Sequence, residues 1–209
     1  MKRIFGSVAL AALVLFTGAA SAADVNTDKG TGQLVFTWSG LDNLNIAGYQ
    51  HDVGAGARYF FGQDLAARVG LRLGFNKETF EAASGGGAAD PEDKESSIGL
   101  SLDIEKHKDI GISSLSPYMG VGLGFDSYSE TSDDGTLVET KDTETDFSIY
   151  GLAGFELGIF NGVSVGGEYQ FGFAISNAER EVDGDSLGKV KGTGFGFRTM
   201  GLHLSVAFM

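Results

Sequence analysis

From Phe147 to Ile175 the chain alternates large apolar with small or polar side chains, and few folds accept that pattern at this length. Odd positions read Phe147, Ile149, Gly151, Ala153, Phe155, Leu157, Ile159, then Val163, Val165, Gly167, Tyr169, Phe171, Phe173 and Ile175. Successive side chains of a strand leave opposite faces, so alternation over roughly a dozen residues per arm is a β signal. Asn161-Gly162 between the arms predicts a type I′ hairpin with both residues at positive φ. The even positions carry mostly Gly, Ser and Ala, with Glu156 and Glu168 as the charged exceptions. That set is a poor water-facing coat for a soluble sheet. It suits the crowded lumen of a narrow barrel whose apolar face meets lipid. Each arm also exceeds the ~9–11 residues that a tilted strand needs to cross a bilayer.

Residues 1–22 read as a secretory signal peptide: Lys2 and Arg3, an apolar run from Ile4 to Phe16, and a small-residue site at Ala20-Ser21-Ala22. The expected mature domain is 23–209, with Ala23 to Gly32 as a polar leader. The chain has no Cys, so neither a disulfide nor a lipid-modified cysteine enters the argument. Losing Lys2 and Arg3 would take the formal charge from −13 to −15. So acidic a surface is a poor partner for a phosphate backbone, and nucleic-acid binding is not expected.

Repeated alternation predicts further strands at about 33–40, 51–61, 65–75, 98–105, 117–125 and, closing the chain, 200–208. With the two arms above, that makes an all-β, eight-stranded antiparallel up-and-down barrel. Connections alternate in length. Residues 62–64, 106–116 and 160–162 form one rim; longer stretches at 41–50, 76–96, 126–146 and 177–194 form the other. Short periplasmic turns opposite long outer loops are the asymmetry of transmembrane barrels. Trp38, Phe75, Phe125, Phe147 and Phe173 are expected at the outer interface, and Tyr59, Phe61 and Phe208 at the inner one.

Five charged residues fall on inward positions: Arg58, Arg68 and Arg72 on the second and third strands, Glu156 and Glu168 on the sixth and seventh. In a ring of eight, those strands stand across the lumen from each other. Eight strands leave an interior just wide enough for side chains. The expectation is an ion-paired plug filled out by Phe60, Tyr118 and Tyr150, the alternative being a charge-lined pore. Asp103 and Glu105 share the inward face of the fourth strand, outside that network. Of the three histidines, His51 with Asp52 is placed at the outer rim, His203 inward near the base, and His107 in a turn. None carries an enzyme's local pattern, so no catalytic residue is assigned. The loop carboxylates Glu92, Asp93, Asp133, Asp134, Glu139, Asp142, Glu144, Asp146, Asp183 and Asp185 fit no calcium-loop spacing. They are expected to be solvated and to leave the tips free for a partner. Gly120-Val-Gly-Leu-Gly124 continues a strand with no helix after it, so it is not a nucleotide loop. No metal or cofactor is expected.

Three stretches carry a family resemblance. Ser116-Pro-Tyr-Met-Gly-Val-Gly-Leu-Gly-Phe125 resembles the central strand of small eight-stranded outer-membrane barrels of the OmpA/OmpX and opacity-protein type. The hairpin from Gly54 to Phe75, with Arg58-Tyr-Phe60 and Ala66-Ala-Arg-Val-Gly-Leu-Arg72, is similar to their second hairpin. The closing Leu202-His-Leu-Ser-Val-Ala-Phe208 is similar to their assembly signal, with Leu204, Val206 and Phe208 read by the insertion machinery, although Met209 follows the aromatic. The resemblance implies the cell outer membrane as location. It implies outer-membrane lipid and the assembly machinery as partners, a monomer, and a structural or surface-interaction role with a cell-surface ligand taken by the loops. A narrow solute channel and a lipid-modifying enzyme are the other functions weighed.

Overall fold

The computed structural model describes residues 23–39, 53–79, 92–133 and 139–208. The expected signal segment, His51, Asp52, Asp134 and Met209 lie outside them. Eight antiparallel strands close on themselves: β1 (Gly32–Trp38), β2 (Val53–Gly62), β3 (Leu65–Thr79), β4 (Glu92–His107), β5 (Leu115–Asp133), β6 (Glu139–Phe160), β7 (Val163–Val182) and β8 (Asp185–Phe208). Each strand pairs with its chain neighbour, and β8 pairs with β1. Following the register from Gly32 through Tyr59, Ala67, Ile104, Val121, Gly151 and Phe171 leads to Phe197, whereas Gly32 itself pairs with Phe208. This stagger tilts the strands and sets the barrel's radius. The β1–β8 ladder, Gly32–Trp38 against Leu202–Phe208, closes the sheet and removes the edge at that height, as hydrocarbon requires.

The two faces are sorted as the alternation demands. Most large outward residues stay open, from Tyr169 at 37% to Phe75 at 79%, with Val163, Val165, Leu204 and Val206 half-buried and Ile159, expected on that face, buried at the bulged turn. The inward Val35, Phe60, Tyr118, Tyr150 and Leu152 are at most 4% exposed. A soluble protein does not leave so continuous an apolar surface uncovered. This band is the lipid-facing wall, bounded by Trp38, Phe75, Phe125, Phe147 and Phe173 at one end and Tyr59, Phe61 and Phe208 at the other. At the closing seam the Phe208 ring lies over Gly32, where a Cβ would come within 2.6 Å of it.

The structure corrects the expected connections. Residues 126–133 and 139–146, and 177–194 but for the tight turn at 183–184, are strand rather than loop. β5 and β6 stay paired up to Asp133↔Glu139, and β7 and β8 up to Val182↔Asp185. Above Phe125 and Phe147 the outward residues change to Ser127, Ser129, Thr131, Thr143 and Thr145, and the inward ones to Asp126, Glu130, Asp142, Glu144 and Asp146. Both faces there are polar, so hydrophobic periodicity ends although the hydrogen-bonded ladder does not. The expected type I′ turn is also displaced. Asn161 is not left-handed; only Gly162 is (φ 76°), and the register shifts between Gly158 and Phe160, so that hairpin is bulged. The two-residue turn with both φ positive is Asp183-Gly184 (51° and 83°) at the far tip.

At the short-turn end the leader crosses the mouth. Gly30 donates its N–H to the Phe60 carbonyl (2.7 Å), the Thr27 carbonyl accepts from Asp64 (3.2 Å), and Val25 donates to Ser113 (2.9 Å). Ala23 then passes against Gly158, where a Cβ would collide with its carbonyl.

Candidate functional site

The lumen is the place where polar chemistry is concentrated, and its core begins with a conflict. Arg58 on β2 stands directly opposite Arg68 on β3, and like charges in facing positions of a sheet repel. A carboxylate from the next strand resolves it. Glu105 on β4 lies 2.7 Å from Arg58 Nε and 3.0 Å from Arg68 Nε. Arg58 also reaches across the barrel to Glu156 on β6 (2.6 Å) and donates to Gln33 Oε1 (2.9 Å). Arg68 pairs with its facing residue Asp103 (2.9 Å) and across the lumen with Glu168 on β7 (2.8 Å).

Aromatic residues and histidines fill what remains. Tyr118 lies under the Arg58 guanidinium, 5.5 Å from it to the ring centre, and its hydroxyl donates to Glu168 (2.9 Å). Tyr150 donates to Asp103 (2.6 Å). His107 stacks on Tyr118 with centroids 4.9 Å apart, meets Phe60 edge-on, and joins Ser116 (2.9 Å) and Glu105 (3.4 Å). His203 lies 3.2 Å from Glu156, which also accepts from Ser205 (2.7 Å). Glycines make room: a Cβ on Gly122 would strike Asp103 and the Tyr150 ring.

The expected set is thus partly brought together. Arg58 with Glu156 and Arg68 with Glu168 meet across the lumen. Arg72 does not join them; it pairs at 2.5 Å with Asp126, which lies in β5 rather than in the expected 126–146 loop. Asp103 and Glu105 enter the same network, since β4 is a full neighbour of β3 and brings two more carboxylates within 3.0 Å of Arg68. The signal available for them was the inward face they share on the strand that follows Arg68 in the chain, since consecutive antiparallel strands pair and make Arg68 and Asp103 facing partners. His107 is not in a turn but ends β4, 1% exposed. Leu204, Val206 and Phe208 line the outside of the closing strand, facing Phe36, Leu34 and Gly32 of β1.

Burial falls steadily along the lumen. Side-chain exposure is 0% for Arg58, Glu105 and Glu156, 7% for Arg68, 9% for Glu168, 16% for Arg72 and 30% for Asp126. Water therefore approaches from the long-hairpin end. Higher still, Arg180 clamps Asp142 with two bonds, 2.7 and 2.6 Å, which holds that carboxyl below its ordinary range. The Tyr128 hydroxyl is pushed upward by burial and by Glu130, to which it donates.

Chemically, the core is a buried and largely paired polar network, with Arg58 Nη2 and Glu156 Oε2 left without a hydrogen-bond partner among the described residues. Ser116, His107 and Glu105 touch in series, but Glu105 is committed to two arginines and all three are at most 7% exposed.

Residues 8–208 match the family model described as the outer membrane protein beta-barrel domain. Among solved structures, the chain is similar to a major outer membrane protein from Thermus thermophilus, at 12% identity, with 85% of this chain and 99% of that chain covered and a TM-score of 0.51. It is also similar to Ail, the attachment invasion locus protein of Yersinia pestis (16% identity, 86% and 99% covered, TM-score 0.42), and to Neisserial surface protein A (19% identity, 85% and 95% covered, TM-score 0.41). Identities this low speak to the fold alone. No curated protein matches the sequence.

Proposed function

We propose, from the premise that this chain belongs to the outer membrane protein β-barrel family and resides in the outer membrane, that it is a non-enzymatic barrel acting at the cell surface. Its role on this reading is structural and adhesive: a closed barrel anchors rigid acidic hairpins for a partner outside the cell. The single observation that carries it is the combination of a filled lumen with strands that continue past the lipid-facing wall. A membrane-buried network held by Glu105, Glu156, Asp103 and Glu168 stabilises closure, and paired strands present their tips with little ordering cost on binding. Its partners would be outer-membrane lipid around the belt, the assembly machinery at the closing strand, and a surface ligand at the hairpins, with the barrel as a monomer. Planar-bilayer recording on the refolded protein tests closure. The expected trace has no discrete conductance steps; reproducible single-channel steps from the intact barrel would replace this reading with that of a narrow channel.

A further inference from the structure

A cavity of about 50 Å³ lies on the water-approached side of the core, bounded by Thr37, Arg68, Arg72, Ser101, Glu168 and Gln170 among others. It has room for roughly three to five water-sized groups. Gln170 defines its chemistry. The residue is 6% exposed, its amide N–H₂ donates to Glu168 (2.8 Å), and its Oε1 accepts nothing from the described residues. A buried orphan acceptor costs about 1–3 kcal/mol unless a donor reaches it, so the cavity is built for a guest that donates.

Charge says which donor. The core sets Asp103, Glu105, Glu156 and Glu168 against Arg58 and Arg68, and both guanidiniums are already engaged. Four carboxylates thus face two guanidiniums, and Glu168, the one at the cavity, also accepts from Tyr118 (2.9 Å) and Gln170 (2.8 Å). The strands above continue that bias. Asp126, Glu130, Asp142, Glu144 and Asp146 all turn inward from β5 and β6. Among the described side chains, the inward cations at that height are Arg72, held by Asp126, and Arg180, held by Asp142. Beside this acidic wall, the neighbouring β7 sets Ala174, Ser176 and Ala178 next to Ser148, Asp146 and Glu144, small side chains without charge.

We infer that the outer half of the lumen is a binding site for a linear organic polyamine. One ammonium seats in the cavity, donating to Gln170 Oε1 beside Glu168, and the methylene chain runs upward along β7 with its remaining ammonium groups against the acidic wall. An inorganic cation would satisfy the charge at one place but would not reach from the cavity to the separate carboxylates of β5 and β6. A neutral diol would satisfy the orphan acceptor but gain nothing from the carboxylates. The site does not depend on the adhesive role proposed above, since it lies inside the barrel rather than at the hairpin tips.

Calorimetric titration of the full barrel, refolded in detergent, with spermidine at low salt tests this. The expected result is saturable one-site binding that weakens as salt is raised. Gln170→Leu, which removes the acceptor, should weaken it about ten-fold or more, on the scale of one charge-assisted hydrogen bond. Ser101→Val narrows the cavity from β4 without touching Gln170 and should weaken it likewise, which keeps the test decisive if Gln170→Leu does not refold. Heats no different from those of a butanediol, or spermidine affinity unchanged in every variant that folds, overturn the assignment.

Discussion

Glu105→Gln is the sharpest probe of how the lumen is held. The change keeps the side chain's shape and removes its charge from between Arg58 and Arg68. At an effective dielectric of about 20, each contact near 3–4 Å carries roughly 4–5 kcal/mol of gross attraction, and two are lost. Offsetting this, the carboxylate's own desolvation, several kcal/mol, no longer opposes folding. Both arginines keep other partners: Arg58 retains Glu156, and Arg68 retains Asp103 and Glu168. They then face each other with only a neutral amide between them. The expected net loss is about 3–5 kcal/mol, the range for breaking a buried pair. Glu168→Gln, which touches one arginine at a partly wetted position, should cost about half of that. Asp126→Asn, at 30% exposure, should cost no more than about 1 kcal/mol. Urea titration of the refolded barrel, followed by the mobility shift between folded and unfolded forms on a denaturing gel, gives the three values. In an Arg58→Met background the Glu105→Gln cost should shrink by about 1–3 kcal/mol, because the facing repulsion is gone. A Glu105→Gln loss below about 1 kcal/mol, or one no larger than that of Asp126→Asn, would refute the bridging role.

Three other outcomes follow from the same geometry. Val121→Lys, on the outer wall of β5 and 63% open, should cost about 2–4 kcal/mol of bilayer-folded stability; Thr131→Lys, above the belt on the same strand, should cost close to nothing. Gly122→Ala forces a methyl against Asp103 and the Tyr150 ring and should destabilise by about 1–3 kcal/mol in a thermal melt. The Asp142 carboxyl, held down by Arg180, should titrate in NMR below its ordinary value of 3.8. Since its folded pKa is depressed, the clamp's contribution is complete above that value and disappears as pH falls through the lower one. Arg180→Met should bring the Asp142 midpoint back up.

What the amino-acid order determines unaided is side-chain direction. A strand's period is two, so the inward fate of Arg58, Arg68, Glu156 and Glu168 and the outward fate of Val121, Leu123 and Phe125 follow from neighbours along the chain. Strand number, the aromatic ends of the wall and the greasy exterior follow from the same local rule. Tertiary structure decided the partnerships. Which carboxylate meets which arginine depends on register and stagger summed around a closed ring, so Glu105 rather than a cross-lumen glutamate bridges Arg58 and Arg68, and Arg72 falls to Asp126. It also decided where the strands end. Past Phe125 and Phe147 both faces are polar, apolar alternation vanishes, and only hydrogen bonding between the strands keeps the ladder going to Asp133 and Glu139. Direction is a property of one strand, whereas contact is a property of eight.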